Sequence, residues 1–452
     1  MKWSRRSILK AGGASALALG LPSLMPQLIR RHLAAQEGGG SKKLVFIFQR
    51  GGNDGVNTVI PRGDNQYNAT NRPTLYIPEA QIGTYGTDLG NGFAQLHPNM
   101  APMMEVYNRS DLNGVDGPGN LAVIHRIGYE GQSQSHFDSQ QYWENGYPSR
   151  PELEEGMIYR HVQQIEAASR FVAAGISDSQ LVALKGPTSI PTLGDVSDYN
   201  FSGSRQRVEK FLGSLPSNLG EDDGRGLLGV LGGPRDFPNK SYRDLVYGTG
   251  LNLADSINIV QQAVSQGPYT PSGNAQYPGG RFGEKLMQVA MLLKRTPVQV
   301  LGLNIGGWDT HSNQGAFNGN HGRLLRDVAL GFQALSRDLA DQWQDVVIVT
   351  MTEFGRTSRE NGSFGTDHAY ATVMFVAGGE VQGGVYNCDA STWRNGDLFS
   401  DRDRYVRHAT DYRAVFAEIF QWMGNDNLPA TIPNYNGLRN RSDFRSLGFL
   451  PA

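Results

Sequence analysis

The chain has 452 residues, with 41 Lys and Arg against 43 Asp and Glu, for a formal net charge of −2. Charges of both signs are spread along it, and past the N-terminal segment there is no basic block of the kind nucleic acid binding requires. The single cysteine, Cys388, excludes a disulfide within the chain, and no later run reaches the roughly 18 apolar residues of a membrane span.

The chain opens with Ser4-Arg5-Arg6-Ser7-Ile8-Leu9-Lys10, a soft apolar run from Ala11 to Leu21, and Leu33-Ala34-Ala35 before Gln36. A charged start, a modest apolar stretch and small residues predict an export signal over residues 1–36. The adjacent arginines favour the twin-arginine route, with its export machinery as partner, over an ordinary secretory signal or a basic start with no address. That route carries folded proteins to the periplasm or beyond, often because a metal or cofactor is taken up first. Residues 37–43, with Gly38-Gly39-Gly40-Ser41, read as a flexible linker.

From residue 44 to 452 the pattern predicts one α/β domain. Leu44–Phe48 is an unbroken apolar run suited to a strand buried on both faces. Leu121–Ile127 is a second strand, and a helix runs from about Ser135 to Asn145. Residues 185–280, rich in Gly, Pro, Ser and Asn, read as an insertion or cap. It holds the apolar fragment Phe211–Leu219 and a helical stretch near 241–265. Helical spacing then returns over Arg281–Leu293, followed by a strand at Val298–Leu303 and an amphipathic helix at Arg323–Trp343. Val346–Thr350 and Thr372–Ala377 are further buried strands, and Asp411–Met423 is a last helix. This order predicts a mostly parallel sheet sandwiched by helices.

Ligands of open α/β sheets sit beyond the carboxyl ends of the strands. Here those ends carry Arg50-Gly51-Gly52-Asn53-Asp54, Ser133-Gln134-Ser135-His136-Phe137-Asp138, Trp308-Asp309-Thr310-His311 and Glu353-Phe354-Gly355-Arg356, with Asp367-His368 just before the strand at 372. Carboxylates and imidazoles gathered from separate segments point to one or two divalent ions, Zn, Mn, Mg or Ca. Each residue has a second reading. Asp54 is a ligand or a turn residue. Asp309 and His311, two apart and on one side of an extended segment, are ligands or a hydrogen-bonded corner. Glu353 is a ligand or the partner of Arg356. His368 is a ligand, and Asp367 is a ligand, its supporting partner or a cap. His136 and Asp138 are candidate ligands. Ser135 fits a Ser-x-x-Asp helix cap, which is also where an activated nucleophile would sit. Arg50, Arg126 and Arg356 are candidates to hold an anionic ester. His321, at the start of a helix, reads as a surface residue, and His97 lies in a loop.

These segments, together with Arg72-Pro73-Thr74-Leu75 and Leu96-His97-Pro98, resemble the exported bacterial family called domain of unknown function 1501, in the family's order and over nearly the whole chain. That family is similar in fold to the alkaline phosphatase and sulfatase superfamily. The resemblance implies Asp54, Asp309, His311 and His368 as metal ligands and Ser135, or less closely Ser133, as nucleophile. Where the superfamily has an Asp-His doublet this chain has Glu353-Phe354, so a carboxylate remains and an imidazole is absent. The Asp309–His311 spacing is short for the pattern, and no cysteine stands in a sulfatase signature. The expected function is an exported metal-dependent hydrolase of phosphate or sulfate esters. The alternative is a non-catalytic exported protein of the same fold with a binding or assembly role. A serine esterase using Gly51-Gly52-Asn53-Asp54 fits less well, since no Gly-Asp-Ser motif precedes that block.

Overall fold

The computed structural model describes residues 41–78, 84–109, 119–148, 150, 152–165, 171–197, 199 and 242–451. The predicted signal, the start of the linker and the Phe211–Leu219 fragment lie outside the described residues. Strand β1 (Lys43–Gln49) sets the architecture. Its Val45 and Ile47 feed one core, and its Leu44, Phe46 and Phe48 feed the other. Side chains alternate across a strand, so a run that is apolar on both faces must be covered on both.

Two short strands, β2 (Val59–Pro61) and β3 (Ala94–Leu96), form a separate antiparallel pair. The main sheet contains β4 (Leu121–Gly128), β5 (Ala173–Ile176), β6 (Thr192–Leu193), β7 (Val300–Ile305), β8 (Val346–Met351), β9 (Thr372–Gly378), β10 (Gly384–Tyr386) and β11 (Thr410–Asp411). Its order is β10-β4-β9-β8-β1-β7-β5-β6, with β11 beside β4. Helices α1 (His136–Asn145), α2 (Tyr242–Ser265), α3 (Arg281–Arg295), α4 (Asn320–Asp338) and α5 (Tyr412–Trp422) flank it. Leu286 and Val289 of α3 and Val328 and Phe332 of α4 fill one core. Trp143 of α1 and Phe416 and Phe420 of α5 fill the other. The fold is therefore α/β, a mostly parallel sheet between helices. Lys42–Ala452 form one compact unit. Among the described residues no helix is long and apolar enough to cross a membrane.

One strand departs from the parallel rule. β9 pairs antiparallel with both β8 and β4. A parallel return needs a crossover, usually helical, and residues 352–371 contain no helix. The chain instead turns back, and the amino end of β9 arrives at the same edge as the carboxyl ends of β1, β4, β7 and β8. The segment carrying Asp367 and His368 is thereby delivered to that edge.

The helix near 241–265 is α2, whereas much of the rest of the 185–280 segment lies outside the described residues. β5, β6, β10 and β11, of two to four residues each, give no periodicity in sequence. His321 corrects the surface assignment. It is fully buried, with Nε2 3.1 Å from Asn53 Oδ1 and its ring edge-on to Trp308.

Candidate metal centre

The geometry begins with the loops after β1 and β8. Glu353 follows β8 and is fully buried. Its Oε1 accepts from the Gly51 N–H at 2.7 Å and from Gln140 at 3.0 Å, and meets His136 Nδ1 at 2.9 Å. Burial alone would raise this carboxyl, but the bonds from His136, Gln140 and Gly51 hold it below its ordinary range. Gly51 has φ +124°, and a Cβ there would come within 2.3 Å of the Asp309 nitrogen. Only glycine lets the first loop and the Asp309 loop approach this closely.

Arg356 ties the loops together. Its Nε donates to the Gly52 carbonyl at 2.8 Å, Nη1 to Thr366 at 2.5 Å and Nη2 to Gly51 at 2.6 Å, and Nη2 also contacts Asp309 Oδ1. Burial pushes Asp309 up, but Arg356, His368 and His311 outweigh it and keep the carboxylate below its usual value.

Three imidazoles converge on Asp309. His136 Nε2 lies 3.5 Å from its Oδ2. His311 Nε2 and His368 Nε2 lie 3.2 and 3.3 Å from its Oδ1, and 2.9 Å from each other. The opposite nitrogen of each ring is committed. His136 Nδ1 faces Glu353, His311 Nδ1 faces Asp367 Oδ1 at 3.1 Å, and His368 Nδ1 faces the Gln134 carbonyl at 2.8 Å. Carbonyls and ionised carboxylates only accept. Asp367, like Glu353, is held below its ordinary pKa, here by Asn361, His311 and Arg404 against its burial. Each Nδ1 therefore carries the proton in the neutral ring, and three Nε2 lone pairs remain beside one carboxylate.

Bare lone pairs 2.9 Å apart repel unless a cation lies between them. Donors about 2.0–2.1 Å from a tetrahedral ion stand about 3.3 Å from one another, close to the separations of each imidazole from Asp309. Carboxylates behind metal-ligating imidazoles are the usual outer support of such sites. His136, Asp309 and His368 form a group able to hold a metal, and His311 stands beside that group against Asp309 and His368.

Phe354, at the place of the absent imidazole, packs its ring 4.9 Å from that of His136 and 4.4 Å from that of His368. It walls the group, and the Gly52 position has no room for a Cβ against it.

Other candidates are not brought to this point. Asp54 is fully buried, bonded by Arg72 Nη1 at 2.7 Å and Nη2 at 3.1 Å and by Gln314 at 2.6 Å. Its carboxylate already has a cation. Burial pushes its pKa up, but Arg72 and its other partners bring it down to about 2. Glu353 and Asp367 stand behind His136 and His311 rather than among the converging atoms. Arg50 is drawn to buried Glu144 at 3.3 Å and to Gln140 at 3.0 Å. Arg356 is spent on carbonyls and Asp309. Arg126 donates to the Arg407 and Thr392 carbonyls. Ser135 caps α1, its Oγ accepting from the Asp138 N–H at 3.4 Å. Among the described residues no imidazole or carboxylate bonds that oxygen. His97 caps a 3-10 turn and meets the Ala316 carbonyl.

Sequence reasoning missed Gln134, Gln140, Asn361 and Arg404, which hold the supporting atoms. Gln134 lies in a segment already singled out, whereas nothing local marks Arg404, whose Nη2 lies 3.1 Å from Asp367 Oδ2.

Residues 258–437 match the model of a family described as "Protein of unknown function (DUF1501)". The family resemblance read from the sequence holds over those residues. No curated protein matches the chain. Among solved structures, the PH0037 protein from Pyrococcus horikoshii is similar at 12% identity and a TM-score of 0.29, covering 77% of this chain and 95% of that one. An alkaline phosphatase from the Antarctic bacterium TAB5 is similar at 8% identity and a TM-score of 0.27, covering 77% of this chain and 96% of its own. Likenesses of that size carry no argument about chemistry.

Proposed function

We propose that the protein is an exported, metal-dependent hydrolase of phosphate or sulfate esters. The observation that carries this reading is the meeting of the His136 and His368 Nε2 lone pairs at Asp309, with His311 beside them and each ring fixed from behind. Imidazoles with one carboxylate suit zinc or iron better than magnesium or calcium. When bound, such an ion supplies a Lewis acid and brings the pKa of a coordinated water to about 7.

The chain's own groups have distinct tasks. Glu353, Asp367 and the Gln134 carbonyl keep protons on the far side of the three rings. Arg356 fixes Asp309. Helix α1 begins at His136, and its Asp138 and Ser139 N–H groups are taken by Ser135. The earlier N–H groups, of His136 and Phe137, have no intrahelical acceptor and suit an anionic ester oxygen. With Arg50 and Arg356 engaged elsewhere, this helix start, rather than an arginine clamp, supports the choice of an anionic substrate. Ser135, held in its cap without a base, supports attack by water over attack by its hydroxyl.

The test is elemental analysis of protein purified after native export, followed by assay on p-nitrophenyl phosphate and p-nitrophenyl sulfate. The expected result is a stoichiometric divalent ion and cleavage that falls by orders of magnitude in Asp309→Ala. Protein without metal and without cleavage would overturn the reading. A bound ion with no cleavage of either ester would select the non-catalytic alternative, which the engaged arginines favour. Export rests on Arg5-Arg6. A double Arg5→Lys, Arg6→Lys variant is expected to remain in the cytoplasm, and undiminished export of that variant would refute the twin-arginine route.

A further inference from the structure

Four large apolar side chains are exposed among the described residues: Tyr85, Phe137, Leu253 and Phe364. Two of them belong to the segments that carry the metal group. Phe137, 90% exposed, directly follows His136 in the first turn of α1. Phe364, 56% exposed, precedes His368 in a loop bonded to the segment that carries His311. That loop is fixed by Gln314 N–H to the Phe364 carbonyl at 2.9 Å and Asn313 N–H to Ser363 at 3.0 Å. Beside it, a Cβ on Gly365 would come within 2.5 Å of His311.

Both positions are unfavourable by themselves. A phenyl ring in water forgoes the gain of burial. Phe364 also has φ +59°, a left-handed conformation that bulky residues seldom adopt. Outliers of this kind gather at ligand-binding sites. The metal group is itself open, with the Asp309 side chain 45% exposed. An ester whose anionic end meets the Nε2 atoms must send its organic group out through the exposed side of the group, and Phe137 and Phe364 are the exposed apolar side chains on its segments.

We propose that Phe137 and Phe364 are specificity-determining residues that select esters bearing a large, apolar organic group. The inference rests on the hydrolase reading above. A flat or bulky apolar substituent would cover the two rings and gain contact area there, and aromatic partners would add edge or offset stacking. A small substituent would leave the rings wet.

The experiment is calorimetric binding of phenylphosphonate and methylphosphonate to the zinc-loaded protein. The wild type is compared with Phe137→Ala, Phe364→Asn and the double variant. Asparagine tolerates the left-handed backbone, and zinc content is measured in every variant to show an intact site. The expected result is phenylphosphonate bound roughly tenfold more tightly than methylphosphonate by the wild type. Each single variant should narrow that ratio and the double variant remove it. Equal affinities in the wild type, or a ratio that survives in the double variant, would overturn the proposal while leaving the hydrolase reading standing. Failure to bind either phosphonate would overturn both. Loss of a dimer in the double variant with an unchanged ratio would assign the rings to a subunit contact and overturn the specificity role.

Discussion

His311 and His368 hold their Nε2 atoms 2.9 Å apart, while Asp367 and the Gln134 carbonyl occupy the far nitrogens of the two rings. A proton could bridge the pair only by making one ring an imidazolium. Burial holds His368 below its ordinary pKa and so disfavours that form there.

The carboxylate behind His311 is expected to set metal affinity without touching the ion. Asp367→Asn removes the negative charge from His311 Nδ1 and from Arg404. Zinc affinity should fall about 10- to 100-fold, measured by competition with a chromogenic chelator. The metal-free melting temperature should move little, because Asp367 is partly exposed. An unchanged affinity would mean that His311 is not a ligand.

Asp54 is expected to behave as a structural ion rather than a ligand. Asp54→Asn leaves Arg72 buried without its counter-charge, which costs about 3–5 kcal/mol, while zinc content stays at the wild-type level. The depressed pKa fixes the sign of the pH dependence. A carboxylate brought to about 2 contributes stability above its unfolded value and loses it as pH falls through about 2. The difference in urea stability between wild type and variant should therefore be constant at neutral pH and shrink below about pH 4. Loss of zinc from this variant would restore Asp54 to the metal group.

His136 has the opposite sign. Its hydrogen bond to Glu353 raises its pKa, outweighing the lowering by burial. In chelated protein the pair contributes stability below the unfolded value near 6.5, lost as pH rises through the raised folded value. The stability difference between wild type and Glu353→Gln should narrow as pH is raised from 6 to 9. Apparent zinc affinity should rise over the same range, because the ion must displace that proton. A difference independent of pH would show that the His136–Glu353 contact does not govern the titration.

Ser135 is expected to matter for the helix and little for turnover. Ser135→Ala removes the cap and should cost about 1 kcal/mol, with ester cleavage within a few-fold of wild type. A fall of several orders of magnitude with zinc retained would identify its hydroxyl as the nucleophile.

Much of the architecture was legible because β1, β8 and β9 are apolar on both faces and α3 and α4 carry clear helical spacing. The direction of β9 was not, since strand direction leaves no mark on a buried apolar run. Within the centre, the residue types after each strand pointed to Asp309, His311 and His368. What the local pattern could not supply was the division between donors and their supports. Glu353 and Asp367 look like ligands in sequence, and only the register of the loops puts them behind a ring. Asp54 lies in a segment as suggestive as any of these, but a guanidinium from Arg72, eighteen positions on, occupies it. His321 was misjudged because a helix start can be buried when another loop lies over it.

The reversed strand also has a consequence for how the centre is distributed along the chain. Between leaving the sheet at Met351 and re-entering it at Thr372, a single peptide contributes Glu353, Phe354, Arg356, Asp367 and His368. One donor, His368, and the supports Glu353, Arg356 and Asp367 thus lie on one peptide, whereas His136, Asp309 and His311 come from other segments. A protease cut between Arg356 and Asp367 would part Glu353 and Arg356 from Asp367 and His368 along the chain.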